Sequence, residues 1–262
     1  MSILEVKDRV ERERTRNEHD DIIERSQQLK DRFAHVLLAP SAGRLRRDEW
    51  MFLESARGAL VLDYGCGKGE YALKLLRSGA KVHGIDIAQN YVDTCLKRVE
   101  EAGVDPSRYK FEIMDAHELK FPDNTFDFVV GNGILHHLNF VLALSEIQRV
   151  LKPGGRAIFQ EPLGGNPLLK LFRRLTPKAR TEDERPLLES DLAAIEKGWK
   201  VESRYYGMVT TPIAALTSVL LRPWPENLFV TLADGIDRQL VGGRMLRSWH
   251  QYVLLNLVKG RH

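Results

Sequence analysis

The sequence predicts an α/β fold built on a doubly wound parallel sheet. Short apolar runs, typical of buried strands, alternate with helical patterns between residues 60 and 205. The first strand is expected at 60–62 and the first helix of the alternation at 71–78. At 262 residues the chain is long enough for one large domain, and its composition, 43% hydrophobic and 29% charged, is ordinary for a globular protein.

A glycine-rich turn joins that first strand to its helix. Gly65, Gly67 and Gly69 occupy alternate positions, and the next apolar run ends in a carboxylate, Asp86, 17 residues after Gly69. Glycine lets a ligand approach the backbone closely, and an acid at the tip of the second strand binds ribose hydroxyls. The pattern therefore predicts a nucleoside site.

The other elements of the alternation follow in chain order. Gly79 and Gly103 are expected to end the first two helices, and the sequence Lys152-Pro-Gly-Gly155 to form a strong break. The further strands and helices are predicted at 91–102 (helix), 109–114 (strand), 126–130 (strand), about 139–151 (helix), 156–161 (strand), 188–197 (helix), 199–205 (strand) and 252–258 (strand).

Two segments after residue 161 interrupt the alternation. The first holds a short helix at 167–175 and a mixed-charge cluster. This cluster is expected to be a solvated helix face by default, and binding of an anionic acceptor is the alternative. Its members are Lys170, Arg173, Arg174, Lys178, Arg180, Glu182, Asp183 and Glu184. The second, 211–241, is apolar, and Pro212, Pro223 and Pro225 are expected to break it into helices. Its Trp224, Phe229 and 216–221 suggest an acceptor pocket or a dimer surface, with core packing as the default.

Residues 1–50 carry the densest charge of the chain, with both signs at close spacing. A loose helical stripe of apolar residues runs through them to 36–38. Solvated helices with internal ion pairs are the simpler interpretation. A mobile cap over the site is the alternative.

The glycine loop reads D-x-G-x-G-x-G from Asp63 to Gly69, and it resembles motif I of the class I S-adenosylmethionine-dependent methyltransferases. Further matches, over residues 60 to 161, are Asp86, Asp115-Ala116, Phe126-Asp127 and Leu151-Lys-Pro-Gly-Gly155. The pattern is most similar to the small-molecule branch that includes ubiquinone- and menaquinone-type enzymes. The resemblance implies a seven-stranded sheet of order 3-2-1-4-5-7-6 with an antiparallel last strand. It also implies an N-terminal helical cap at 1–56 and a methyltransferase domain at 57–262, with insertions at about 162–187 and 207–248.

The resemblance also implies the cofactor contacts. The loop at Gly65, Cys66 and Gly67 should lie along the methionine part of S-adenosylmethionine, and Asp86 should bind the ribose. Asp115 is expected at the adenine amino group. The remaining expected contacts are Ala116 and Ile87 beside the ring, Asp63 orienting the loop or reaching the ammonium through water, and Asn132 or the Gly131 carbonyl receiving that ammonium.

Three side chains near the strand ends are candidates for acid–base catalysis. His136 and His137 follow the fourth strand, and Glu161 ends the fifth. A hydroxyl acceptor must lose its proton to be methylated, and an imidazole titrates near neutral pH. For Glu161, a structural hydrogen bond to the glycine loop that follows it is an equal alternative. No cluster with metal-ligand spacing stands out, so catalysis without a metal is expected.

Other functional classes are disfavoured by particular residues. Glu70 stands where a dinucleotide-binding fold of an NAD-dependent oxidoreductase needs its third glycine, and 131–134 lacks the prolines and aromatic of amine-methylating nucleic-acid enzymes. A non-catalytic binding module remains open. We expect methylation of a small, largely apolar metabolite, with oxygen favoured over carbon or nitrogen. A nucleic-acid methyltransferase is a less favoured alternative, and a homodimer is possible.

The remaining composition argues for an ordinary cytoplasmic protein. Net charge is +3, too low to imply nucleic acid or membrane surfaces, and the two cysteines form no C-x-x-C pair. No apolar run reaches 18 residues, and the N-terminus carries charge where a signal peptide needs an apolar core. Stable membrane insertion is therefore not expected.

Overall fold

The computed structural model describes residues 28, 31–175, 185–240 and 246–260. In these ranges the strands are β1 Leu60–Tyr64, β2 Lys81–Asp86, β3 Tyr109–Ile113, β4 Phe126–Asn132, β5 Leu151–Pro162, β6 Lys200–Tyr206 and β7 Tyr252–Val258. They form a seven-stranded sheet of order β3-β2-β1-β4-β5-β7-β6. Strand β7 is antiparallel to β5 and to β6, and the other pairings are parallel. The predicted doubly wound sheet and its order are confirmed.

Helices surround this sheet. They are α1 Ala34–Leu38, α2 Pro40–Glu54, α3 Glu70–Ser78, α4 Gln89–Glu101, α5 Phe140–Val150, α6 Pro167–Leu175, α7 Glu189–Gly198, α8 Thr210–Leu220 and α9 Leu228–Leu240. Short 3-10 turns occur at Pro106–Arg108, Leu135–His137 and Arg247–Trp249. The predicted ends of α6 and β7 agree with the structure, and the other predicted elements of the alternation differ from it by at most a few residues at their ends, except at β5.

Two local predictions about chain breaks are wrong. The sequence at 152–155 does not separate α5 from β5 but lies inside β5, where the β4–β5 register shifts between Phe126 and Phe128. Gly154 has a φ of +77°, and the extra residues form an irregularity in the pairing, not a break. Pro212 does not break a helix either. It lies in the first turn of α8, where an amide donor is not needed.

The core lies on both faces of the sheet. Because side chains alternate along a strand, Leu62 of β1 joins one buried cluster and its neighbour Val61 joins the other. Helices α5 and α7 cover the first face, and α3 and α4 cover the second, each through an apolar stripe. This packing brings the carboxyl ends of β1, β2, β3 and β4 to one edge of the sheet.

A further helical layer is formed by α1, α2, α8 and α9. Helix α8 packs against α1 and α9, and α2 is tied to the sheet by a 2.6 Å hydrogen bond from the Tyr206 hydroxyl to Asp48. The division into a cap at 1–56 and a domain at 57–262 stays a prediction, and residues 1–27 lie outside the described part. In the described part, none of the helices has the length and apolar character needed to cross a bilayer.

Candidate functional site

The glycine loop, residues 65–69, has a backbone that favours glycine. Gly65, Gly67 and Gly69 have φ angles of +75°, +48° and +76°. There is also no room for side chains at two of them. A Cβ on Gly65 would lie 2.8 Å from Cδ1 of Ile134, and one on Gly69 would lie 2.5 Å from Sγ of Cys95. The loop is therefore packed tightly between the segment after β4 and helix α4.

The amides of this loop donate to the protein itself. The N–H groups of Gly65 and Cys66 bond the carbonyl of Ile85 at 3.0 and 2.8 Å, and that of Gly69 bonds the Cys66 carbonyl at 2.9 Å. The glycines therefore allow a ligand to come close to the loop backbone more than they supply it with amide donors. The Cys66 side chain is buried, and its hydrogen bond with Cys95, together with burial, raises the pKa of its thiol. Cys66 is accordingly an inert packing thiol and not a nucleophile.

Asp86 connects the end of β2 to the glycine loop. Its Oδ2 accepts the amide of Gly67 at 2.9 Å, and its Oδ1 accepts that of Ala88 at 3.0 Å. Only 9% of the residue is exposed. Each carboxylate oxygen can accept a second hydrogen bond, so the clamp on the loop is compatible with a ribose contact. Ile87, the next residue, is half-buried.

The side chain of Asp63, near the end of β1, is buried close to that of Asp86. It is 2% exposed, and its Oδ2 has no hydrogen-bond partner among the described residues. Burial, with the nearby negative charge of Asp86, raises the pKa of Asp63 to about 7, although the Ala72 amide opposes the shift. An unpaired buried carboxyl oxygen is costly, and a cationic ligand placed next to it would remove much of that cost.

This raised pKa predicts how stability depends on pH. The folded protein keeps the Asp63 proton up to about pH 7, whereas the unfolded chain releases it near the ordinary pKa of 3.8. We therefore expect the free energy of unfolding to fall by up to about 4 kcal/mol as pH rises from about 4 to 7, and then to level off. The measurement is urea unfolding across this range for the wild type and for Asp63→Asn, which has no titrating group there. A wild-type-minus-variant difference that stays constant with pH would contradict the assignment.

Asp115 is held by a residue that the sequence did not single out. Its Oδ1 accepts the amide and Nδ1 of His117, both at 2.8 Å, and His117 Nε2 accepts the Asn139 amide at 2.9 Å. Because Nε2 is an acceptor, Nδ1 carries the proton that is donated to Asp115. Burial alone would raise the pKa of Asp115, but the hydrogen bonds from the side chain and the amide of His117 bring it below its ordinary value. The half-buried Ala116 beside it is fixed through its carbonyl, which accepts the Tyr64 hydroxyl at 2.5 Å.

Glu161 and His136 form a hydrogen-bonded pair just beyond β4 and β5. Glu161 is fully buried, and its Oε1 accepts the amides of Ile134 and Leu135 at 3.0 and 2.8 Å. Its Oε2 accepts Nδ1 of His136 at 2.8 Å and the amide of the same residue at 3.4 Å. The carboxylate therefore caps the 3-10 turn and fixes the orientation of one imidazole.

The two adjacent histidines differ in their surroundings. The ring of His137 lies against that of His136, with centroids 4.1 Å apart and planes tilted by 41°, while the contact to Glu161 belongs to His136. Ile134, in the same turn, touches Gly65, so the turn adjoins the glycine loop. Asn132 is exposed at the end of β4. The structure thus brings the predicted residues of β1, β2, β4 and β5 to one edge.

Sequence reasoning also missed a contact between α2 and α3, the helix that follows the glycine loop. Tyr71, at the start of α3, donates from its hydroxyl to Glu49 of α2, and the ammonium of Lys74 lies 3.6 Å from the same carboxylate. Burial raises the pKa of Glu49, a residue only 4% exposed, despite these partners. Helical periodicity around Glu49 gives no signal for such a long-range pair.

Removing the Tyr71 hydroxyl should therefore destabilise the protein. For Tyr71→Phe we expect the free energy of unfolding to drop by about 1–3 kcal/mol, because the buried Glu49 loses its donor. The matched control is Tyr109→Phe, whose hydroxyl has no hydrogen bond that the structure records among the described residues; its change should stay within about 0.5 kcal/mol. Denaturant unfolding measures both. Equal effects of the two substitutions would show that the Glu49 contact contributes nothing.

The structure tests the default interpretations of the apolar segment 211–241 and of the mixed-charge cluster. The default that Trp224, Phe229 and Leu216 pack in the core is wrong, since they are 63%, 61% and 54% exposed. In the mixed-charge cluster Lys170 and Arg174 are exposed, which agrees with a solvated helix face. The side chain of Arg173 and residues 178–184 lie outside the described part.

Comparison with known proteins agrees with this arrangement. Residues 62–159 match the family described as a methyltransferase domain. A demethylmenaquinone methyltransferase of Staphylococcus aureus is 33% identical over 123 residues, which cover 45% of this chain and 48% of that protein. The chain spans about half the length of the curated relatives it matches.

Solved structures share the fold at low sequence identity. Geranyl diphosphate C-methyltransferase from Streptomyces coelicolor A3(2), solved with Mg²⁺, geranyl diphosphate and S-adenosyl-L-homocysteine, has a TM-score of 0.58 and 15% identity, covering 83% of this chain and 81% of that one. The [4+2]-cyclase SpnF has a TM-score of 0.57 and 19% identity, covering 90% and 95%. At such identities the likeness shows the fold alone. Residues 62–159 thus match a methyltransferase domain, and the glycine loop and the acid of β2 in this part are similar to those of class I S-adenosylmethionine-dependent methyltransferases.

Proposed function

We propose that the protein transfers a methyl group from S-adenosylmethionine to a small, largely apolar metabolite, and that the acceptor atom is a hydroxyl oxygen. The observation that carries the choice of oxygen is the pair of His136 and Glu161, joined at 2.8 Å, in a turn that touches the glycine loop through Ile134. A hydroxyl acceptor needs a base to take its proton, whereas a neutral amine can be methylated without losing one first. C- or N-methylation is the alternative.

The residues around the loop suit the cofactor. Asp63 has a buried oxygen without a partner among the described residues, next to which the methionine ammonium would be stabilised. Asp86 would bind the ribose while it holds Gly67, and Asp115, oriented by His117, would bind the adenine amino group. Ile87, Ala116 and Asn132 complete the proposed contacts. When bound, S-adenosylmethionine supplies a methyl group on a sulfonium, which is an excellent leaving group.

For the acceptor, the protein's task is to orient a hydroxyl and to remove its proton. Since Nδ1 of His136 donates to Glu161, the acceptor role of the neutral ring falls to Nε2. Glu161 is then a positioning residue that sets the tautomer and ring orientation, and His136 is the base. His137 is the second candidate.

Cofactor binding and acceptor chemistry are tested separately. Isothermal titration with S-adenosylmethionine tests the cofactor site, and failure to bind would leave a non-catalytic module with this fold. Mass spectrometry of ligands that co-purify, followed by a screen of apolar hydroxyl, amine and carbon acceptors, tests the choice of oxygen. Turnover on amines or carbon acceptors alone would contradict O-methylation.

We also propose that catalysis needs no metal. No group of three or more potential ligand side chains occurs among the described residues, and Asp63, Asp86 and Asp115 are assigned to the cofactor. The expected result is that turnover on the identified acceptor is unchanged by EDTA. Loss of turnover on chelation, with recovery on addition of Mg²⁺, would contradict this proposal.

We propose a cytoplasmic location on the basis of the two cysteines. Cys66 and Cys95 are both free and buried, a state that suits the reducing cytoplasm.

A further inference from the structure

Helices α8 and α9 are inverted relative to ordinary surface helices. The buried side of α9 holds two carboxylates, Asp234 at 1% and Asp237 at 2% exposure. The large apolar side chains of the same helix point the other way: Leu228, Phe229 and Leu232 are 69%, 61% and 58% exposed. A surface helix of a globular protein normally shows the reverse pattern.

The two buried carboxylates are held by specific hydrogen bonds, although Oδ1 of Asp234 has no partner among the described residues. Asp237 accepts the amides of Val209 and Thr210 at 2.7 and 3.1 Å, and the Thr210 hydroxyl at 2.6 Å, which fixes the start of α8. Asp234 accepts Nη1 of Arg44, from α2, at 2.6 Å. The interior of the layer is held by charge-assisted hydrogen bonds, which are among the stronger ones in proteins.

Helix α8 repeats the pattern. Its buried side includes Thr217 and Ser218, which hydrogen bond to the ring and the amide of His35 at 3.0 and 3.2 Å. Its exposed side carries Leu216 and Leu220, at 54% and 68%. We define the apolar face as the exposed side chains Leu220, Trp224, Leu228, Phe229, Leu232 and Ile236, which are each 47% to 69% exposed.

Among the described residues, exposed cations outnumber exposed acids on α6 and over the segment from α8 to α9. On α6 and from α8 to α9, the exposed charged side chains in the described part are Lys170, Arg174, Arg222 and Arg238 against one acid, Glu226. The two other acids of these segments, Asp234 and Asp237, are buried, and Arg238 is paired with Asp234 at 2.9 Å while its own side chain stays 65% exposed.

Helix α6 begins next to the start of α8. Asn166, which precedes α6, donates from its side-chain amide to the carbonyls of Met208, before α8, and Trp249, at 2.9 and 2.8 Å. Leu168 and Leu171 of α6 are 62% and 55% exposed, next to its cations.

From this arrangement we infer that the apolar face docks on an anionic lipid bilayer, with Trp224 and Phe229 entering the headgroup region and the cations of α6, α8 and α9 facing the lipid phosphates. Apolar patches of this size mark interaction sites, and interfacial helices combine such a face with basic flanks and aromatic anchors. A second copy of the chain fits less well, because a two-fold contact would oppose the same cations to one another. Docking is independent of the proposed methyl acceptor, and its test uses neither acceptor nor cofactor.

The test is flotation of the full-length protein with vesicles of phosphatidylcholine containing phosphatidylglycerol. We expect the wild type to float, and the double variant Trp224→Ser/Phe229→Ser to partition at least about tenfold more weakly, since two large apolar side chains lose their burial. The double variant Lys170→Glu/Arg174→Glu should lose a similar factor on these vesicles and much less on pure phosphatidylcholine.

Matched controls lie elsewhere on the surface. Val141→Ser removes an apolar side chain of a residue 74% exposed on α5, and Lys97→Glu reverses a charge whose side chain is 77% exposed on α4. Both should float like the wild type, and circular dichroism checks that every variant is folded. Absence of flotation by the wild type, or equal flotation of all variants, would overturn the inference. So would a dimer in sedimentation equilibrium that Trp224→Ser/Phe229→Ser dissociates, because the face would then be a subunit interface.

Discussion

Replacing His136 by alanine is expected to lower turnover on the identified acceptor by roughly 10²–10⁴ while leaving cofactor affinity intact. The reason is its contact with Glu161: Nδ1 donates a 2.8 Å hydrogen bond to the carboxylate, which assigns proton acceptance to Nε2. Turnover and isothermal titration measure the two quantities separately.

His137→Ala is the matched control for this prediction. It removes the same type of side chain one position away. The hydrogen bond to Glu161 that the structure records is made by His136. We expect near-wild-type turnover. Glu161→Gln should slow turnover, because an amide disturbs the tautomer that the carboxylate sets. Glu161→Ala replaces Glu161→Gln in this set if the alanine variant folds. If the variants of His136, His137 and Glu161 all keep wild-type rates, the base mechanism is wrong and catalysis consists of positioning and desolvation.

Replacing Asp86 by alanine should weaken S-adenosylmethionine binding by at least tenfold. A hydrogen bond to a charged group contributes on the order of 1.5–3 kcal/mol, and the proposed ribose contact is lost together with the clamp on Gly67. Some stability should be lost as well, because the amides of Gly67 and Ala88 lose their acceptor. Isothermal titration gives the affinity and urea unfolding the stability.

The control for Asp86 is Asp93→Ala. This substitution, on α4, changes the net charge by the same amount, but the carboxylate it removes only accepts a 2.7 Å hydrogen bond from the exposed Gln89 side chain. Its cofactor affinity should equal that of the wild type. A folded Asp86→Ala protein that binds the cofactor as the wild type does would remove Asp86 from the site.

Features with a local signal in the sequence were predictable. The glycine loop, Asp86 and the final strand each follow from residue spacing or alternation, and Gly79 ends α3 in the left-handed conformation expected of a C-terminal cap. The order of the strands came from the family resemblance, because nothing in a single strand's composition states which neighbour it pairs with.

Features that depend on distant partners were not predictable. The contact of His117 with Asp115 joins residues two apart, but its second bond, to Asn139, spans 22 positions. The interpretation of Glu161 stayed open for the same reason, since its partners lie 25 to 27 residues earlier. The apolar residues of α8 and α9 suggested burial. Only the engaged Asp234 and Asp237 show that the polar side is the one turned inward.

The position of β7 has a consequence for how the protein is made. Strands β5 and β6 do not pair with each other but only through β7, and β7 is translated after both. While the ribosome is still completing the chain, β5 therefore presents an open edge of unpaired backbone groups, the kind of edge along which polypeptides aggregate. Closure of the sheet is necessarily a late event in biosynthesis. A nascent chain stalled before residue 252 should thus bind chaperones that the finished protein does not.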